Sequence, residues 1–112
     1  MKKFFVLYKA PVEEFQKMMA NSDKEMQKKG MEEWTTWMSA HKADLADMGA
    51  PVGKTKAVTM SGVTDIKNDV GGYSIVQAES HDAAAKIMAD SPHLKVPHAT
   101  IEISEIMEMP GM

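Results

Sequence analysis

Residues 71–109, GGYSIVQAESHDAAAKIMADSPHLKVPHATIEISEIMEM, carry the pattern that decides the fold. Tyr73 to Ala78 is a β-branched apolar run opening after a double glycine, which predicts a strand. Ser80-His81-Asp82 follows with a helix start: serine caps the first amides, and an acid sits at the positive end of the helix. Ala84, Ile87 and Met88 recur at helical spacing, and Ser91-Pro92 ends the element. After the loop HLKVPH, residues 99–107 form a last strand with Ile101 and Ile103 on one side. Ile106 is out of phase with them, which predicts a bulge or a change of face.

Toward the amino end, Phe4 to Tyr8 is a compact apolar run between lysines and predicts a central strand buried on both faces. Pro11 starts a short helix to about Ala20, with Phe15, Met18 and Met19 at helical spacing and Asn21 closing it. Ser22-Asp-Lys-Glu25 has the spacing of a capping box. DKEMQKK offers only Met26 to a core and predicts a solvated turn, with a bend or break at Gly30. From Met31 to Met48 a second helix places Met31, Trp34, Trp37, Met38, His41, Leu45 and Met48 on one arc, and Gly49 with Pro51 stops it. Residues 54–61, KTKAVTMS, predict the next strand, Ser61-Gly62 a turn, and residues 66–69 a polar linker.

The resulting order is strand, helical region, strand, strand, helix, strand. With right-handed crossovers this is a ferredoxin-like βαββαβ sandwich of the α+β class, expected as one domain over residues 1–112. Both helices cover one sheet face. The other face is left without a cover inside the chain, so a homodimer is expected.

Composition narrows the function. The net charge is -3 and every basic residue is lysine, interspersed with glutamate. That gives no clustered footprint for nucleic acid and no arginine fork for phosphate or carboxylate. No cysteine is present, which removes disulfides, thiolate ligands and a thiol nucleophile. The opening MKKFFVLYKA has an apolar run too short for a signal peptide, and no segment reaches bilayer length. A cytoplasmic protein is expected, with no membrane and no cofactor. The 12 methionines read as gap fillers and adaptable surface. Met107-Glu-Met109-Pro-Gly-Met112 has clustered thioethers, but no nearby histidine or cysteine makes it a metal site.

Gly71-Gly72-Tyr73, Asp82-Ala83-Ala84, Ser91-Pro92-His93-Leu94 and Thr100-Ile101-Glu102-Ile103, in that order, resemble the YciI-like (YCII-related) family. Trp34, Trp37, Gly49 and Pro51 resemble one branch of it. The resemblance covers most of the chain and implies a dimeric α+β barrel, in which two sheets close face to face with the helices outside. It also implies a histidine on the long helix and an aspartate near the end of the next one, acting together beside a cleft. The family histidine falls near Trp37 or Met38, and the family aspartate at Asp90 or Ser91. His41 therefore lies about one turn beyond the histidine's place. The DGPFAETKE signature of a related branch is replaced here by GVTDIKND, and nothing attached to it carries over.

His41 and Asp90 are the candidate catalytic pair: a neutral histidine oriented by a carboxylate can act as a general base. The competing reading is a packed histidine satisfied by one hydrogen bond. Trp34, Trp37, Tyr73 and His93 are candidate ligand contacts in an apolar cleft between helix and sheet, suited to a small apolar or aromatic molecule. His81, His93 and His98 lack acidic or thiol companions at ligand spacing, so no metal site is expected. The alternative to a ligand-binding protein or enzyme is a non-catalytic interaction or assembly protein whose cleft is filled by its own tryptophans and methionines.

Overall fold

The computed structural model describes residues 1–110. A four-stranded antiparallel sheet has the order β2-β5-β1-β6, built from β1 (Lys2–Lys9), β2 (Leu45–Pro51), β5 (Val70–Ala78) and β6 (Thr100–Glu105). Between β1 and β2 lie α1 (Val12–Asn21) and α2 (Lys24–Ala40), and between β5 and β6 lies α3 (His81–Met88) with a 3-10 turn (Pro92–Lys95). A separate hairpin, β3 (Thr55–Thr59) and β4 (Gly62–Ile66), is inserted between β2 and β5. With the hairpin set aside, order and topology are those of a ferredoxin-like α+β sandwich, as the sequence predicts.

Alternation along β1 decides which side is the core. Phe4, Val6 and Tyr8 are buried, and Phe5 is 37% exposed. The register places Val6 opposite Ser74 and Ile103, and Tyr8 opposite Ile101, so inward side chains from three strands share one face. Trp37, Ala84 and Met88 cover that face, with Trp34, Met38 and Ile87 packed against them. β1 is central, but it is buried on one face rather than on both.

The start signal of α3 acts as the sequence predicts. The Ser80 side chain accepts from the Ala83 amide, and α3 begins at His81. For α2 the cap is Asp23, which accepts from the Met26 amide at 2.8 Å, in place of Ser22. α2 runs unbroken through Gly30, so the expected solvated turn is part of the helix.

The largest departure is at the end of α2. The helix stops at Ala40, and His41 is its C-cap. Leu45 and Met48 belong to β2, not to a helical arc, and residues 54–61 lie in the hairpin rather than in the main sheet. The reason is the ladder: Leu45 pairs with Val76, Ala50 with Tyr73 and Pro51 with Gly72, and pairing to β5 outweighs continuation of the helix. Gly49 is consequently a bulge residue. Its φ of 71° lies in the left-handed region, and an added Cβ would overlap the Tyr73 carbonyl.

Gly49→Ala should therefore force β2 away from β5 and cost roughly 2 kcal/mol or more. Denaturant unfolding, read as a lower midpoint at unchanged slope, checks this.

Candidate functional site

Trp37 is the buried residue of the last turns of α2, and its indole N–H donates to Asp90 Oδ1 at 2.8 Å. Asp90 follows the C-terminal end of α3, where helix carbonyls disfavour a carboxylate. The indole donor offsets this, and so does the His41 ring, whose Nε2 lies 3.4 Å from the same oxygen. Nδ1 of His41 lies 3.3 Å from Asp44 Oδ2. Each ring nitrogen thus faces a carboxylate, and only the doubly protonated ring can donate to both. The His41 side chain is 19% exposed and that of Asp90 67%, so the pair sits at the rim of the helix layer.

Asp90 is held below the usual carboxylate range, chiefly by the Trp37 hydrogen bond and then by His41, with desolvation opposing both.

Beneath this rim the aromatic rings stack in series. His41 lies 5.0 Å from Trp37, Trp37 meets Trp34 edge-on at 5.8 Å, and Trp34 meets Tyr8 edge-on at 5.3 Å. Tyr8 ends the series in a polar relay. Ser74 Oγ donates to the Met48 carbonyl at 2.9 Å, so the Tyr8 hydroxyl, 2.9 Å from Ser74 Oγ, is the donor in that pair. Burial raises the Tyr8 pKa, with the Ser74 bond opposing, so the hydroxyl keeps its proton. Met88 Sδ lies 3.9 Å from the Tyr8 oxygen and closes the interior from the α3 side.

His41, Asp90, Trp34 and Trp37 are therefore gathered at one place. Tyr73 is not among them. It lies on the opposite sheet face with its ring 6.1 Å from Phe5, because residues at odd positions of β1 and β5 face away from the helices. His93 is buried in the core, where Nε2–H donates to the Lys9 carbonyl at 2.8 Å and the ring lies 5.5 Å from Tyr8. His81 likewise donates from Nε2 to the Ile103 carbonyl at 2.7 Å. Each of these histidines ties a helical segment to a strand. Of the methionine cluster near the end of the chain, Met107 and Met109 are exposed, and Met112 lies outside the described residues.

Three residues of the site were not singled out from the sequence. Tyr8 was readable from the period of two along β1, and Ser74 shares its face through the pairing with Val6. Asp44, three residues after His41, lies within reach of its ring in a helix as in a turn, and that i,i+3 spacing is the signal for it.

Two open depressions lie elsewhere. One, of about 550 Å³, runs along α2 past Lys24, Gln27, Met31 and Thr35. The other, of about 1120 Å³, lies between α1 and the root of the β3–β4 hairpin, past Phe15, Val52, Lys54 and Lys67.

No family profile matches the chain, and no curated protein sequence matches it. Among solved structures it is similar to 5-chloro-2-hydroxyhydroquinone dehydrochlorinase (TftG) from Burkholderia phenoliruptrix AC1100, in a complex with 2,5-dihydroxybenzoquinone. The identity is 20%, covering 89% of this chain and 90% of that one, with a TM-score of 0.49. The fold assignment rests on the strand order and register above.

The pH response of Asp90 follows from its lowered pKa. Its stabilisation is fully present above the ordinary carboxylate value of about 3.9 and is lost as pH falls through the lower folded value. Asp90→Asn should lower stability at pH 7 by less than about 1 kcal/mol, because the group is largely solvated. The difference from wild type should vanish in acid, as thermal unfolding between pH 7 and pH 2 will show.

Proposed function

We propose that this chain is a YciI-like domain over residues 1–112, paired with a second copy as a dimeric α+β barrel. It binds a small apolar or aromatic molecule at the Trp34–Trp37–His41 rim and exchanges a proton with it through His41. The observation that carries this reading is the convergence of His41 and Asp90 beside Trp37, with Asp90 open to solvent. A histidine set between two carboxylates supplies a proton when doubly protonated and accepts one after losing it. The half-buried Trp34 ring, backed by Trp37, supplies the apolar contact that orients a planar ligand. His93 and Tyr73 have no part in this rim: one braces the core, and the other belongs to the subunit interface.

The pairing rests on the uncovered sheet face, where Phe5, Leu7, Tyr73 and Ile75 form a half-exposed apolar strip. Such a strip across a sheet favours burial against a like surface. No helix of the described residues is long and apolar enough to cross a membrane.

A second reading is favoured by a specific observation: the space between α2 and the sheet is filled by the chain's own rings and by Met88, with Trp37 at 6% exposure and Met88 at 2%. That packing suits a non-catalytic assembly protein.

Tryptophan fluorescence separates the two. Titration with a panel of phenols and aromatic carboxylates should give saturable quenching, weakened about tenfold or more in His41→Gln. A flat response to the whole panel from correctly folded protein would sink the ligand reading and leave the assembly one. Tyr73→Lys should shift the light-scattering mass toward the 12.4 kDa monomer, because it places an unpaired charge in the buried strip. An unchanged mass would overturn the sheet-face pairing.

A further inference from the structure

The β3–β4 hairpin extends the β2–β5 connection beyond the end of the sheet, and every residue of β4 is exposed. Val58 is 78% exposed, Met60 108% and Val63 60%. A two-stranded hairpin standing alone in water is marginal and needs a third surface to be stable. The shape agrees: the radius of gyration is 15.8 Å, against about 13 Å for a compact chain of this length.

Its charge indicates the covering surface. Residues 54–67 carry Lys54, Lys56 and Lys67 against Asp65 alone. Lys56 is paired with Asp65 at 2.6 Å, while among the described residues neither Lys54 nor Lys67 is in an ion pair. The root of the hairpin shares its depression with Phe15 and Val52. A complementary segment lies at the end of β6: residues 105–109, Glu-Ile-Met-Glu-Met, have two acids and no base, and while Glu105 is 3.5 Å from Lys2, Glu108 is in no ion pair among the described residues. Ile106 is 44% exposed, Met107 81% and Met109 66%.

The two segments of one chain do not face each other. β6 runs from Thr100 opposite Lys9 to Glu105 opposite Phe4, whereas the hairpin joins β5 at Val70, opposite Lys9. The acidic segment therefore leaves the sheet at the far end from the hairpin, roughly 20 Å along the strands, and points away from it.

We infer that the basic hairpin of each copy is an arm that receives the acidic, methionine-bearing segment 105–109 of a second copy. The contact is reciprocal, as a two-fold pair requires, and it buries apolar surface on both segments while matching their opposite charges. This contact presupposes the dimer proposed above and adds a second interface to the sheet face.

The absence of cysteine allows a direct test. Val63→Cys and Met107→Cys, carried on separate copies, mixed and mildly oxidised, should give a disulfide-linked pair in high yield. A Thr36→Cys partner on the outer side of α2 should give little. Lys54→Glu with Lys67→Glu should weaken self-association about tenfold at low salt, and adding Glu108→Lys should restore it. A stable dimer with no preference for the 63–107 bridge, or with an affinity unmoved by the charge reversals, would overturn the arm and leave the sheet-face dimer standing. A protein that sediments as a monomer would overturn both.

Discussion

The pairing of β1 with β5 on one side and β6 on the other is the constraint on which the rest of the molecule depends. It sets Phe4, Val6 and Tyr8 on the helix side, beside Ser74, Val76, Ile101 and Ile103. A slip of β1 by one residue would turn Phe4, Val6 and Tyr8 outward. Because the helices cover only this face, the same register exposes Phe5, Leu7, Tyr73 and Ile75 together on the other. The core and the uncovered strip are thus two consequences of one set of hydrogen bonds.

Asp90 is the corresponding hub of the helix layer. It comes from the segment after α3, yet it accepts from Trp37 of α2 and faces His41 in the turn that follows. His93 and His81 make the other ties, each donating to a strand carbonyl. Three of the four histidines therefore connect separate elements. Only His41 does so at a solvent-facing rim with a carboxylate facing each ring nitrogen.

How much was legible varied with the range of the interaction responsible. The start of α3 is legible because Ser80 and Asp82 act on neighbouring amides, whereas its end falls at Met88, before the Ser91-Pro92 stop signal, which instead opens the 3-10 turn. The end of α2 is not legible, because Leu45 and Met48 continue the helical period in the sequence while their true partners are on β5. Gly49 illustrates the ambiguity: past a helix a glycine reads as a stop signal, but here it is the bulge that lets β2 approach Tyr73. Trp34, Trp37, His41 and Asp90 were identified as candidates and do converge. Tyr73, a candidate for the helix-side cleft, lies on the other sheet face because its direction follows from register, which no local pattern states.

By itself, the sequence determined β1, α1, β5, α3 and β6 in that order, the start of α3 at Ser80, the one-sided apolar character of α3 and the absence of thiol chemistry. These follow from spacing, capping and composition, which act over a few residues. Only the tertiary structure decided where α2 ends, which strand occupies the sheet edge, that residues 55–66 stand apart as a hairpin, and that Asp44 and Asp90 flank one imidazole. Those outcomes depend on contacts such as Trp37 to Asp90 and Tyr8 to Ser74, between residues 53 and 66 positions apart. Over that distance a periodic pattern carries no information about the partner, and the balance between ladder pairing and helix continuation is settled by packing.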